Sequence, residues 1–237
     1  MAATRTFVIV AAAGGGSRLP GPRPKQYADL AGVPLIVRTL DRLRAIRASA
    51  TIVALARGDD DYARLVGARD GVEAVPCGGA TRAATVRNAL AHLAPRAAAG
   101  DWILVHDAAR PCVPTDALER LVDALKDDDV GGLLAVPVAD TLKLADGTNG
   151  APRVRRTEDR GMLWGAQTPQ MFRHRILAAA LSRDTTIAWT DEASAVEALA
   201  ATGACAMPRL VPGDPANLKV TYAADLALAA AIVAAQR

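Results

Sequence analysis

Aromatic side chains are nearly missing from this chain: there are two Phe, three Trp and three Tyr among 237 residues. A core without rings has to be filled by Ala, Val, Leu and Ile, the residues of parallel sheets covered by helices. Cysteine is as scarce, and Cys77, Cys112 and Cys205 are far apart and odd in number. Neither a disulfide framework nor a Cys-x-x-Cys metal site is supported, so a reducing, cytoplasmic setting is expected. Runs of Lys and Arg are absent too. The 28 basic and 25 acidic residues leave a formal charge of +3 spread along the chain, which argues against a nucleic-acid partner or a membrane patch and favours small anionic ligands. No membrane span is expected. AADLALAAAIVAA near the C-terminus is interrupted by Asp225 and falls short of the roughly 20 residues a bilayer requires. FVIVAAA near the N-terminus is short and ends in glycines instead of a cleavage site, so it reads as a first strand and not as a signal peptide.

What the chain does have is alternation. FVIVA (7–11), TIVALA (51–56), VEAVP (72–76), WILVHD (102–107) and GGLLAVPV (131–138) are short apolar runs. Between them lie amphipathic segments, such as the one carrying Ile36, Leu40 and Leu43 and the one carrying Val86, Leu90 and Leu93, whose spacing is helical. Strand–helix alternation of this kind predicts an α/β fold, Rossmann-like and doubly wound, with a mostly parallel sheet. Ligands in such sheets bind at the C-terminal strand ends. The alternation breaks at about 139–163, where DGTNGAP separates two short stretches, Thr141 to Leu144 and Arg153 to Thr157, the signature of a β-hairpin. Such an arm has too few apolar residues for a core of its own and is expected to pack on the same arm of a second chain, giving a homodimer. Helices are predicted at about 170–183, 191–202 and 223–236, with short strands near 204–210 and 217–220. At this length a single domain over residues 1–237 is expected, with no second enzyme fused to it.

Three stretches carry chemistry. AAAGGGSRLPGPRPKQY (11–27) places Gly14, Gly15 and Gly16 directly after the first strand, where peptide N–H groups can curl around an anion. A Walker loop is excluded because no Gly-Lys-Ser/Thr occurs, and the dinucleotide fingerprint fails at its third glycine. What remains is a glycine loop with two cations, Arg18 and Lys25. It suits a nucleotide attacked at its α-phosphate, although a tight turn with solvated basic residues would read the same. VHDAARP (105–111) puts Asp107 and Arg110 at the ligand edge of a strand. There Asp107 could hold Mg²⁺ or a diol and Arg110 a second anion, or the two could form a loop salt bridge. His106 fits a satisfied structural histidine better than a catalytic base. In NLKVT (217–221) an isolated Lys219 interrupts a buried-looking strand, as an edge charge would.

Taken together, AAAGGGSRLPGPRPKQY, VHDAARP, VPVADTLK, LWGAQTPQMF, TDEASAVE and NLKVT, in this order, resemble the 2-C-methyl-D-erythritol 4-phosphate cytidylyltransferases of the non-mevalonate isoprenoid pathway. The resemblance runs from about Phe7 to the C-terminus. It implies transfer of CMP from CTP to the phosphate of methylerythritol phosphate, with Mg²⁺ required and diphosphate released. By the same resemblance Arg18, Lys25 and Lys219 are catalytic, with Lys219 stabilising the pentavalent α-phosphate. Ala12, Ala13, Gly14, Gly15, Gly16 and Ser17 would hold the triphosphate side of the nucleotide. Gly78 and Gly79 would read cytosine through their backbone, supported by Arg82 and Thr85, and Ala80 stands where the family often has an acidic residue. Asp107, Ala108, Arg110 and Thr168 would bind the acceptor, with Thr141 and Arg160 reaching its phosphate from the partner subunit. Two other readings are a cytidylyltransferase for another polyol phosphate, such as ribitol 5-phosphate, and a non-catalytic nucleotide-binding protein.

Overall fold

The computed structural model describes residues 4–16, 18, 19, 21, 23–147, 150–183 and 186–236. In chain order its elements are β1 (Thr6–Ala12), β2 (Asp29–Leu30), β3 (Val33–Pro34), α1 (Leu35–Leu43), β4 (Ala50–Leu55), α2 (Asp61–Leu65), β5 (Val72–Val75), α3 (Arg82–Leu93), β6 (Trp102–Asp107), α4 (Thr115–Leu125), β7 (Gly131–Pro137), β8 (Lys143–Ala145), β9 (Val154–Thr157), β10 (Trp164–Arg173), α5 (His174–Arg183), α6 (Glu192–Ala200), β11 (Arg209–Pro212) and α7 (Ala223–Ala235). Seven of the strands form one sheet in the order β11-β7-β10-β6-β1-β4-β5, parallel throughout except for β10.

Continuous apolar runs become strands here because both faces of the sheet are covered. On β1, Phe7 and Ile9 face the layer of α3, α5 and α6, while Val8 and Val10 face α1 and α4. α7 seals the region of β2 and β3 through Ala229 and Val233, against Leu30, Leu35 and Cys112. From β1 the chain steps outward through β4 to β5, then crosses back to lay β6 on the other side of β1. The winding direction reverses between β1 and β6, so a crevice opens beyond their C-terminal ends.

Two expectations need correction. Residues 170–173 do not begin a helix: they complete β10, a ten-residue strand antiparallel to both β6 and β7, and α5 starts only at His174. Met171 and Phe172 are buried on opposite faces, and a strand buried on both sides lacks the alternation that would distinguish it from a helix. Residues 217–220 form no strand, with a bend at Asn217, and the strand expected near 204–210 is β11, at 209–212. The predicted hairpin is present as β8 and β9, antiparallel with Lys143 opposite Thr157, in a two-stranded sheet separate from the main one.

β10 and β11 close on β7 because β7 begins with two glycines. A Cβ on Gly131, whose φ is +123°, would lie 2.1 Å from the Met171 carbonyl oxygen, and one on Gly132 would lie 2.1 Å from the Arg209 carbonyl oxygen. Gly131→Ala is therefore expected to combine backbone strain with a forced separation of β7 and β10, a loss of about 3 kcal/mol. In a chain of this size that is a fall in Tm of roughly 6–12 °C. A calorimetric scan checks it, and an unchanged Tm would show that the sheet edge relaxes freely.

Candidate active site

A cavity of about 450 Å³ occupies the crevice at the ends of β1 and β6. Ala12, Ala13, Gly14, Gly15 and Gly16 leave β1 along one wall, with Arg18 and Lys25 beside them. Gly79, Arg82 and Thr85 form a second wall, Asp107 and Ala108 leave β6 as a third, and Lys219 with Thr221 closes the site. Residues from opposite ends of the chain therefore meet at the edge where parallel sheets bind ligands. Ser17 lies outside the described residues.

The glycines of the first loop differ in what they are for. Gly16 adopts φ +67°, and a Cβ there would sit 2.6 Å from Cγ of Lys25, so its hydrogen lets the lysine stem pass over the loop. Gly14 and Gly15 have nothing within 4 Å of an added Cβ, so the chain itself gives no reason for their lack of side chains. The loop is pinned by Gln26, buried in the turn that follows, whose Nε2 donates to the Ala12 carbonyl at 2.8 Å. Lys25 then reaches across to donate from Nζ to the Val220 carbonyl at 3.0 Å. Burial lowers the pKa of Lys25, and the positive charges of Lys219 and Arg18 lower it further. The Arg18 guanidinium lies 6.0 Å from the ring centre of Tyr222.

Asp107 is the hub of the opposite wall. Its Oδ1 accepts from Arg82 Nε at 3.0 Å, its Oδ2 meets Lys219 Nζ at 2.7 Å, and Arg110 Nε stands 3.8 Å away. Burial alone would push this carboxyl up, but Arg82, Lys219 and Arg110 outweigh it and hold the group far below the usual carboxylate range. The segment carrying Lys219 is held against the loop after β6 by two bonds, Val220 N–H to the Ala109 carbonyl at 2.8 Å and Arg110 Nη1 to the Asn217 carbonyl at 2.6 Å. Lys219 is thus a placed charge and not a solvated edge lysine. Arg110 helps to place it and does not line the cavity.

Thr168 also stands behind the wall. Its Oγ1 accepts from the Asp107 N–H at 3.0 Å and lies 3.1 Å from His106 Nδ1, while His106 Nε2 lies 3.1 Å from the Arg110 carbonyl. A carbonyl only accepts, so Nε2 carries the proton and Nδ1 accepts from Thr168. Burial pushes the His106 pKa down to about 4, which keeps the ring neutral and makes it the structural histidine the sequence suggests.

In the loop before α3, Gly78 donates its N–H to the Leu55 carbonyl at 2.7 Å, and Gly79 donates to Thr85 Oγ1 at 3.0 Å. Both amides are spent inside the protein, so the expectation that the pair reads a base through its backbone survives for the carbonyls only. A Cβ on Gly78 would come within 2.7 Å of Ala13 Cβ and one on Gly79 within 2.5 Å of Ala84 Cβ; these glycines serve packing of the loop against its neighbours. Gly78 does not line the cavity, whereas Ala80 and Thr81 do.

Thr141 and Arg160 are exposed on the arm and do not reach the cavity of their own chain. Residues missed by sequence reading include Thr221, Gln26, which adjoins Lys25 in PKQY, and Thr81, which caps α3 by accepting from the Ala84 N–H at 3.0 Å. A Thr directly before a helical run is a readable cap. No group of three or more His, Cys, Asp or Glu that could hold a metal ion is present among the described residues. Asp107 is the one carboxylate among the residues lining the cavity, and both its oxygens already face cations. These residues do not fit a resident metal cage. They fit a divalent ion only as one carried in on phosphate oxygens.

Comparisons agree with this architecture. The family model described as IspD, 2-C-methyl-D-erythritol 4-phosphate cytidylyltransferase, matches residues 6–235. Relatives of that name from Laribacter hongkongensis and Dechloromonas aromatica are 54% identical over 97% of this chain and 96% of theirs, and 50% identical over 98% and 99%. A crystal structure of a 4-diphosphocytidyl-2C-methyl-D-erythritol synthase, 37% identical, superposes with a TM-score of 0.83 over 98% of this chain and 100% of its own. That of the Thermus thermophilus cytidylyltransferase, 29% identical, gives 0.75 over 98% and 100%. With the match extending over nearly its whole length, the chain belongs to the 2-C-methyl-D-erythritol 4-phosphate cytidylyltransferase family.

Proposed function

We propose that the cavity is where this chain carries out its family's reaction, and that its walls divide the work. The reaction follows from family membership: CMP passes from CTP to 2-C-methyl-D-erythritol 4-phosphate, a nucleotidyl transfer in isoprenoid precursor biosynthesis. The observation that best supports the placement is the meeting of Arg18, Lys25 and Lys219 around a glycine loop in one cavity that offers a single opposing carboxylate. In this reading the triphosphate lies along Ala12 to Gly16, where Gly14 and Gly15 leave room for it. Arg18, Lys25 and Lys219 face the phosphate that is attacked.

No catalytic base is required. A phosphate monoester has its second pKa near 6 and is largely dianionic at neutral pH, so the nucleophile arrives ready. The protein has to hold two highly negative molecules in line and offset the charge that accumulates at the α-phosphate. A divalent ion such as Mg²⁺, bound with the triphosphate, would partly neutralise its charge. A coupled diphosphate-release assay with CTP, comparing methylerythritol phosphate with ribitol 5-phosphate, tests the reading; equal use of both acceptors would move the assignment to a broader polyol phosphate enzyme.

Cytosine is the base selected in this reading. With the amides of Gly78 and Gly79 spent internally, the loop carbonyls are left to accept from the exocyclic amine. UTP has no such amine and would leave a buried acceptor unpaired, at a cost of about 1–3 kcal/mol. CTP is therefore expected to exceed UTP by roughly 10–100-fold in kcat/KM, and equal values would remove the loop from base recognition.

The arm serves a second copy of the chain. It exposes Leu144, Val154, Met162 and Leu163, with Met162 at 88%, and Trp164 is exposed beside it at the start of β10, far more apolar surface than its two short strands can cover. A homodimer formed through residues 139–163 would cover it and bring Thr141 and Arg160 to the partner's acceptor phosphate. The working compartment is the cytosol, in keeping with three free cysteines and, among the described residues, no helix long and apolar enough to cross a membrane.

A further inference from the structure

The stretch TDEAS has no role in the site as described so far, yet it delivers Glu192, a carboxylate with no exposed surface. Glu192 is the first residue of α6, and Asp191 before it caps the helix by accepting from the Ser194 N–H at 2.9 Å. Gln170 of β10, itself buried, grips this helix end from both sides: its Nε2 donates to Asp191 Oδ2 at 2.8 Å and its Oε1 accepts from the Ala193 N–H at 2.8 Å. The helix start is thereby fixed to the strand beside β6.

From there Glu192 Oε1 accepts from Arg82 Nη1 at 2.6 Å, while Nε of the same guanidinium donates to Asp107 at 3.0 Å. Arg82 is stretched between a carboxylate in the cavity wall and one buried behind it. Its Nη2 is buried without a partner among the described residues, while the residue lines the cavity. Burial pushes the Glu192 carboxyl up and Arg82 opposes it; the N-terminal end of α6 favours the charged form as well. A carboxylate sunk this deep is weak support for stability, since an apolar residue of similar volume often serves the fold as well or better. The one cation it meets belongs to the site.

We propose that Glu192 is a positioning residue for the nucleotide: it holds Arg82 from behind and cancels its charge, fixing the guanidinium in the cavity wall that faces the nucleoside. This rests on the reading of the cavity as a CTP site. Without Glu192, Arg82 would be a loose fourth cation near the phosphates, competing with Lys219 for Asp107.

The test is a double-mutant cycle on the full-length protein with Arg82→Ala, Glu192→Ala and the pair, with CTP binding measured by calorimetry and KM and kcat by diphosphate release. Both single changes should weaken CTP binding and raise its KM about tenfold or more with kcat reduced less than about threefold, the pattern of lost ground-state binding. The double variant should match Arg82→Ala, because a residue that acts through another adds nothing once that partner is gone. Glu192→Gln, which keeps the acceptor but not the charge, should recover part of the affinity. Melting temperatures run alongside, since a merely structural glutamate would lower Tm and leave KM alone. Additive effects in the cycle, or unchanged KM in Glu192→Ala, would overturn the proposal. If Glu192→Ala does not fold, the cycle with Glu192→Gln decides by the same criteria. Wild-type protein that fails to bind CTP would instead remove the reading of the cavity itself.

Discussion

Replacing either Lys25 or Lys219 with alanine is expected to lower kcat by about a hundredfold or more while changing the affinity for CTP far less, as for loss of a charge contact that strengthens in the transition state. The two lysines approach from opposite ends of the chain, yet both are anchored around Val220: Lys25 through the Val220 carbonyl at 3.0 Å, and Lys219 as its immediate neighbour, paired with Asp107 at 2.7 Å. Burial and the neighbouring charges of Lys219 and Arg18 already depress the pKa of Lys25, so these cations repel one another in the free protein. An anion placed among them relieves that repulsion, and the relief grows with the negative charge that attack brings to the α-phosphate. Asp107 should remain ionised in the Lys219 variant because Arg82 and Arg110 still face it, so the acceptor wall is expected to stand and the loss to come from the missing cation. Single-turnover rates with calorimetric CTP binding separate the two quantities. Turnover at the wild-type level in both variants would sink the assignment of the cavity's cations to the chemical step.

The parts of this molecule that were legible in its sequence are the ones that local patterns encode. β1, β4, β5, β6 and β7 are short apolar runs bounded by polar residues, and the arm announces itself through its turn residues. β10 was not legible, because Phe172, Ile176 and Leu177 keep a helical spacing across the point where the strand passes into α5; what decides the matter is the gap between β6 and β7, which only an extended segment fills. The site divides in the same way. Glycines after a strand and an Asp at a strand end carry their own signal, whereas Lys219 on its own reads as an edge charge and was placed only through the resemblance of NLKVT. Glu192 lies in TDEASAVE, which helps carry the resemblance, but no role could be read for it, since its meaning is a contact with Arg82 across 110 residues. The expected base-reading amides of Gly78 and Gly79 failed for a related reason: a glycine in a loop says that a side chain is excluded, and here the excluding atoms are those of Ala13, Leu55 and Ala84.

On the proposed sharing of each site between two chains, Arg160→Ala and Lys219→Ala should both be nearly inactive alone and should restore one another when mixed. Thr141 and Arg160 lie on the exposed arm and do not line the cavity of their own chain, so any contact they make with the acceptor phosphate has to occur in a neighbour's site. In a mixed dimer, the cavity of the Arg160→Ala chain keeps its own Lys219 and receives an intact Arg160 from the other chain, while the second cavity lacks both. Lys219 is a better partner for this experiment than Asp107, whose removal would leave Arg82, Arg110 and Lys219 without the carboxylate that holds them together. After full random exchange half the dimers are mixed and each has one complete site of two, so roughly a quarter of wild-type activity should return, by the symmetry of a two-fold dimer. The arm is also the part whose removal should leave a monomer, because the exposed Met162, Val154 and Leu163 are the apolar surface the dimer would bury. Native mass spectrometry follows the exchange and diphosphate release follows the recovery. Complete exchange with no activity regained would mean that the arm completes no neighbouring site, and Arg160 would then have to be assigned a role outside the reaction.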